Sequence, residues 1–376
     1  MIWVIVGVAA VVGVVVLVLL GGIWYYSQVL KAALLVPNRA RDVLDLRVSR
    51  LVDGRVTFEP AAGEESRDWK SAGVFGVEWP DGYGQVGAIR AMDGDLVERD
   101  YVPLVGSLQV GDVVRLDSFA LPTDPQAAHG IEFETVNFRS ELGDLPAWFV
   151  PGSRDTWAIF VHGKGANRRE ALRMLPATVE AGLPSLVITY RNDEGAPENP
   201  DGFYRYGQTE WRDLKSAVDH ATEAGARRIV LVGYSMGGSI VTKFMLETRP
   251  GELVPGVIMD SPALNLSAIV DKEARRRGIP GIVATAGKVA TGLRSSIDWR
   301  ALNYLSRVDE LEVPILLFHG DCDRTVFVET SDAFAKARPD IVTYVRATDV
   351  DHVRSWNADS ERYLARVRGF LGRVVG

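Results

Sequence analysis

The chain has 376 residues, 47% of them apolar and 24% charged, with a formal net charge of −7. That balance suits a globular protein with a normal buried core, long enough for two modest domains or one large domain with appendages, and it argues against nucleic acid as a partner. Cys322 is the only cysteine, which excludes an intrachain disulfide and a cysteine-based metal site.

The first 26 residues contain no charged side chain. As a helix, residues 2–26 span roughly 37 Å at ~1.5 Å per residue, enough to cross a hydrocarbon core of ~30 Å. Trp3 lies near one end and Trp24, Tyr25 and Tyr26 at the other, where amphipathic rings favour the headgroup layer. A cleaved signal peptide fits less well: the apolar run is long, no basic residue precedes it, and no small-x-small site closes it. A buried soluble helix would need apolar neighbours on every side. The expectation is a retained single-pass anchor in the cell membrane. Lys31, Arg39 and Arg41 follow the span while Asp42 and Asp45 count for little, so the bulk of the chain is expected in the cytoplasm.

Residues 35–126 carry short apolar stretches at 55–58, 73–77 and 113–116, separated by Asp53-Gly54, Asp81-Gly82 and Gly111-Asp112. Turn dipeptides between such runs predict a small β-rich domain or extension. No motif in it has a chemical rationale. Asp124 and Pro125 read as a linker.

From about residue 130 the rhythm changes. Short runs at 157–161, 186–190, 228–232, 257–259 and 315–318 are apolar enough for strands buried on both faces of a parallel sheet. Amphipathic stretches alternate with them. Trp211, Leu214 and Val218 share one helical face, as do Tyr363, Val367, Phe370 and Leu371. This alternation predicts an α/β fold, a mostly parallel sheet with helices on both faces, over residues 130–376. Residues 264–299 interrupt it and predict a small helical cap. The run Arg275–Arg277 reads as its solvated face. Ile269, Ile279, Ile282, Val283 and Val289 could line an acyl pocket or pack only on their own neighbours.

The strand at 228–232 runs into Gly233-Tyr234-Ser235-Met236-Gly237-Gly238, and a helix-like stretch follows. Strand, G-x-S-x-G, helix is the setting of a nucleophile elbow. The turn must be tight, glycines keep bulk off the crossing backbone, and the serine is strained so that Oγ projects alone. Its Met236 amide then points at developing negative charge. The alternative is a glycine-rich turn that only packs a helix on a strand.

From about residue 130 onward, some two thirds of the chain, the sequence resembles the α/β-hydrolase superfamily, in its serine-aminopeptidase-like and prolyl-oligopeptidase-like esterase branches. The resemblance implies a Ser, Asp, His order. Of the two histidines after Ser235, His319 opens His319-Gly320-Asp321-Cys322-Asp323-Arg324-Thr325-Val326, similar to the family's H-G-x-x-D-x-x-V. Asp323 then supplies the acid and His319 is structural. Asp321, and Asp260 after the preceding strand, are the alternatives, and Arg324 could pair with either neighbouring carboxylate. His352, in Asp351-His352-Val353 after a last strand at 341–346, takes the family's place for the general base. His162-Gly163-Lys164-Gly165 resembles the family's oxyanion turn, with the Lys164 amide first and Gly165 second as donor, and the Lys164 side chain turned to solvent. The phosphate loop G-x-x-x-x-G-K-[ST] is absent.

The implied chemistry is hydrolysis of a carboxylic ester by a serine hydrolase through an acyl-enzyme, with no metal or organic cofactor. The substrate class is a small-molecule or lipid acyl compound. Thioesters and peptides fit the same groups. A non-catalytic membrane adaptor is the reading from a different class. Serine at the elbow argues against the epoxide hydrolase and dehalogenase branches, which use aspartate.

Overall fold

The uncharged N-terminal run folds as one helix. In the computed structural model, which describes residues 2–37, 43–61 and 69–376, helix α1 spans Ile2–Leu30 and passes into a π-helical turn over Lys31–Leu35. It is long and apolar enough to cross a membrane, its most apolar window having a mean hydropathy of 3.1 with none of it buried. Its end docks on the body. Tyr26, Ser27 and Leu30 are buried, and Leu35 is enclosed in the main core, its carbonyl accepting the Tyr204 N–H at 2.8 Å. Of the charges that bear on orientation, the Lys31 ammonium lies 4.5 Å from the Phe203 ring centroid. Arg39, Arg41 and Asp42 lie outside the described residues.

A closed antiparallel barrel of six strands follows: β1 Leu46–Val52, β2 Arg55–Pro60, β3 Phe75–Trp79, β4 Gly82–Asp93, β5 Leu96–Val105 and β6 Val113–Asp117, in the order β1-β2-β5-β4-β3-β6. Alternation puts Val48, Val56, Phe58, Val86, Val97 and Val114 inside. Asp53 and Gly54 both have positive φ (52° and 70°), which a two-residue hairpin turn requires. Closure also buries one cation. Arg99 donates to the carbonyls of Trp69, Ser71, Gly73 and Gly87, and burial pulls its guanidinium down to about 10.

The predicted linker is a short helix, α2 Pro125–His129, capped by the Asp124 carboxylate on the Ala127 N–H. Beyond it lie β7 Glu134–Arg139, β8 Asp144–Val150, β9 Thr156–Val161, α3 Leu175–Glu180, β10 Ser185–Ile188, α4 Trp211–Glu223, β11 Arg228–Tyr234, α5 Met236–Thr248, β12 Val257–Asp260, α6 Leu266–Arg276, α7 Gly281–Ser295, β13 Ile315–Gly320, α8 Glu329–Ala337, β14 Val342–Ala347, α9 Ser355–Ala358 and α10 Ser360–Val374. The eight strands lie in the order β14-β13-β12-β11-β9-β10-β8-β7. From β14 to β10 neighbours are parallel, and β8 and β7 add an antiparallel edge.

Every residue of β9, β10, β12 and β13 is buried, as strands covered on both faces must be. Leu214, Val218, Ile240 and Phe244 of α4 and α5 cover one face; Leu175, Ala177, Val367 and Phe370 of α3 and α10 cover the other. The cap is the pair α6–α7, between β12 and β13. Its apolar residues do not line a common pocket. Ile269 is buried, Ile279 and Val283 pack against the end of α1, and Ile282 and Val289 face outward.

Candidate active site

The elbow forms because the glycines around Ser235 permit a crossing that any side chain would block. A Cβ on Gly237 would lie 2.1 Å from the Val161 carbonyl oxygen, one on Gly233 2.7 Å from that of Gly237, and one on Gly238 2.5 Å from Pro262 Cβ. Helix α5 can therefore start directly off β11, and Ser235 is forced to φ 48°, ψ −114°. A non-glycine residue there stores about 1–3 kcal/mol, which the surrounding sheet must over-determine.

The parallel strands end at one edge, and their loops bring three distant residues together. Ser235 Oγ lies 2.8 Å from His352 Nε2, and His352 Nδ1 lies 2.7 Å from Asp323 Oδ2. A carboxylate only accepts, so Nδ1 carries the proton and the Nε2 lone pair faces the hydroxyl. Asp323 is held on all sides: Oδ1 accepts the Thr325 and Val326 amides, each at 2.8 Å, and Oδ2 also accepts from His319 Nε2 at 3.1 Å. Burial pushes the Asp323 carboxyl up, but the His352 charge and the hydrogen bonds from both histidines outweigh it and hold the group well below the carboxylate range. Burial pulls His352 down, but the facing Asp323 charge and hydrogen bond outweigh it and raise the imidazole above its ordinary value.

The other sequence candidates sit elsewhere. His319 also donates to the Val326 carbonyl at 2.8 Å and accepts from Ser331 Oγ at 2.7 Å, which braces the loop that carries Asp323. Asp321 binds Arg346 at 3.1 Å and the Asp349 amide at 2.7 Å, away from His352. Asp260 accepts from Ser261 Oγ and Tyr363 Oη, and burial pushes it up to about 6. Arg324 pairs with Asp351 at 3.5 Å, with neither Asp321 nor Asp323. Among the described residues one surface cluster, Asp321, Cys322 and Asp349, has metal-ligand atoms within 4.8 Å of one another.

The loop after β9 faces the elbow, with the ideal Cβ position of Gly163 3.1 Å from Ser235 Cβ. The Gly163 amide is already committed to Glu170 Oε2 at 2.7 Å, so Lys164 and Gly165 follow as the loop's next donors. Met236, as the first residue of α5, has no carbonyl one turn back within its helix. The Lys164 side chain does not run to solvent as its charge suggests. Its Nζ donates to the Ala33 carbonyl at 3.1 Å, in the turn that ends α1, and burial pulls the ammonium down. His162 is a brace: Nε2 donates to Asp193 Oδ2 at 2.9 Å, and Nδ1 faces the Gly163 carbonyl.

Sequence reasoning missed the residues behind His352. Val353 has φ 51°, an outlier for a β-branched residue. Ser261 Oγ accepts its N–H at 3.2 Å, and Arg173 Nη1 donates to its carbonyl at 2.7 Å. Arg173 also reaches Asn357 Oδ1 and Glu170 Oε1, at 3.2 and 3.3 Å. The Asn357 amide group donates in turn to the Val74 and Ser118 carbonyls, at 2.7 and 2.9 Å, beside the barrel. One buried chain of bonds thus joins the barrel, the His352 loop and the Gly163 turn. Arg173 and Asn357 carry no local motif; an arginine one turn after Glu170 was the sole hint.

A profile of the alpha/beta hydrolase family matches residues 149–372, more than half of the chain. No curated protein sequence matches it. Among solved structures, an esterase of Pyrococcus furiosus is similar at 23% identity and TM-score 0.54, over 66% of this chain and 93% of that one. A second crystal form of that esterase gives 21% and 0.54, over 68% and 98%. An esterase from Rhodococcus sp. is more distant, at 14% and 0.46 over 64% and 99%. These likenesses lie in the fold. By the family match, the chain belongs to the alpha/beta hydrolase family and is at that level a hydrolase.

Proposed function

We propose that the chain hydrolyses carboxylic esters, lipid or other long-chain acyl esters among them, through an acyl-enzyme. Ser235 attacks the acyl carbon while His352 takes its proton and later delivers it to the leaving alcohol. Asp323 fixes the imidazole tautomer and stabilises the imidazolium. The Met236 and Lys164 amides hold the oxyanion, each worth on the order of 10²–10³ in rate. Water then attacks the acyl-enzyme with the same base. The observation that carries the reading is the unbroken relay from Ser235 Oγ to His352 at 2.8 Å and on to Asp323 at 2.7 Å. Helix α1 serves as the membrane anchor, with the body in the cytoplasm, and the substrate comes from that membrane.

A fluorophosphonate probe tests it on the full-length chain. Wild type is expected to label and Ser235→Ala to stay unlabelled, and a chain-length-graded ester panel ranks substrates. Equal labelling of both proteins, or of neither, returns the chain to the non-catalytic adaptor. Turnover of peptides above that of every ester would make it a peptidase.

A further inference from the structure

Helix α7 inverts the usual arrangement of a surface helix. Its inward residues, Ala284, Gly287, Thr291 and Ser295, are small or polar and buried. Three of its four large apolar residues point away from the protein: Ile282, Val289 and Leu293 are 76%, 56% and 81% exposed, while Val283 packs toward α1. Their spacing, i, i+7 and i+11, makes one stripe opposite the buried face, where a soluble helix would be polar. Both cations of the helix are engaged: Lys288 binds Asp271 at 2.6 Å, and Arg294 reaches Ser27 Oγ at 3.4 Å.

What lies next to α7 says what covers that stripe. The helix is seated on the end of α1. Gly287 admits the Tyr26 ring, since a Cβ there would lie 2.4 Å from it, and Thr291 Oγ1 donates to Ser27 Oγ at 3.2 Å. Tyr26 lies five residues before Lys31, the first charged side chain, and its neighbours Trp24 and Tyr25 stay exposed, as rings at a headgroup layer do. At the same level Arg277, Asp271 and Glu273 lie within electrostatic reach of Tyr26; Lys288 pairs with Asp271, and Arg276 and Arg277 share Glu273, so the corner is basic on balance. Exposed apolar stripe, aromatic belt and basic corner together are the pattern of a helix lying in a membrane interface.

We propose that the outer face of α7 lies in the headgroup–acyl boundary of the bilayer that α1 crosses, so that the cap beside Ser235 is seated in the membrane and acyl esters enter from the bilayer. The entry route rests on the hydrolase reading above; the bilayer contact stands on α7 and α1.

The test uses the full-length chain with Cys322→Ser, reconstituted in phosphatidylcholine–phosphatidylglycerol vesicles. Single cysteines, Val289→Cys, Leu293→Cys and, as a control on α10, Glu361→Cys, carry an environment-sensitive fluorophore. Labels at 289 and 293 are expected to shift to the blue and to be quenched by shallow spin-labelled lipids, unlike the label at 361. Iodide quenching at 289 and 293 equal to that at 361 overturns the bilayer contact. The combined variant Ile282→Asp, Val289→Asp, Leu293→Asp is expected to hydrolyse a water-soluble short-chain ester as wild type does and to lose about tenfold or more on a long-chain ester in the vesicle. Undiminished turnover of the vesicle ester, or equal loss on both esters, overturns the entry route. Lipid quenching of the labels at 289 and 293, with a wild type that hydrolyses neither ester, supports the membrane seat and sinks the hydrolase reading instead.

Discussion

The barrel and the parallel sheet dispose of their strand ends in opposite ways. In the six-stranded antiparallel barrel, the strand connections are shared between the two ends. In the sheet, the parallel strands β9 to β14 deliver their C-terminal ends to one edge, and residues as far apart as 235, 323 and 352 meet within hydrogen-bond distance there. The sheet can therefore carry reacting groups, and among the described residues the barrel carries none that chemistry would single out. The barrel instead touches the loop behind the imidazole, through Asn357. Under the proposed reaction the difference becomes a division of labour: one region would react and the other aim.

The largest effect is expected where the sheet's own relay is cut. Asp323→Asn should lower kcat by about 10⁴, since an amide no longer fixes the tautomer that offers Nε2 to the serine. It should also move the pH profile. In the proposed mechanism His352 acts as a neutral base, and facing Asp323 its pKa is raised above 6.5, so wild-type kcat/KM is expected to rise with pH through a midpoint above that value. Without the carboxylate, burial still disfavours the imidazolium while its main stabiliser is gone, so the midpoint moves to lower pH. A rate profile on a short ester decides this; an unmoved acid limb would detach Asp323 from His352.

The aiming side is weaker but should be measurable. Arg173→Met removes the bonds to Val353, Asn357 and Glu170, so the strained Val353 loses its carbonyl partner. It also leaves Glu170 without its counter-charge, with only the Gly163 amide bound, where its side chain is 7% exposed, a loss of about 3–5 kcal/mol of stability. If Arg173 aims His352, kcat per folded molecule falls by about 10²-fold at unchanged KM, the cost of misplacing a reacting group by ~1 Å. Urea melts combined with active-site titration separate the two: lost stability with full kcat per titrated site would make Arg173 merely structural. Asn357→Ala should do less. It strips a donor from the Val74 and Ser118 carbonyls, worth about 1–3 kcal/mol, and should lower kcat only severalfold. A kcat loss matching that of Arg173→Met would place the barrel, more than Arg173, in charge of the loop.

The same division explains what the sequence made legible. The elbow could be read because Gly233, Gly237 and Gly238 are required locally, each facing backbone or side chain within van der Waals contact. The parallel strands were legible as unbroken apolar runs, since both faces are covered. The barrel was half legible: β2, β3 and β6 stand out as short apolar runs, but the long pair β4–β5 does not. From Ile89 to Asp93 and from Val102 to Val105 most of its side chains face solvent, so no apolar alternation survives there. Arg173 and Asn357 act through partners far away in sequence, at 353, 74 and 118, and such partners leave no spacing to read. Lys164 misled for a related reason. A lysine in a glycine-rich loop looks solvated unless the end of the anchor helix is known to lie over it.

Lys164 offers the smallest expected effect and the finest cut between the two roles. In the proposed hole it is the backbone N–H that meets the oxyanion, and the ammonium is turned the other way, onto the Ala33 carbonyl 3.1 Å from Nζ. Burial already disfavours its charge, so an apolar side chain of similar length gives up little. Lys164→Met should therefore keep kcat within about threefold, since the amide remains, and lose about 0.5–1.5 kcal/mol with the tether to Ala33. A loss on the order of 10²–10³ in kcat is instead the signature of a missing oxyanion donor. That result would move the donor from the amide to the ammonium, and would make the end of α1 a part of what aims the reaction.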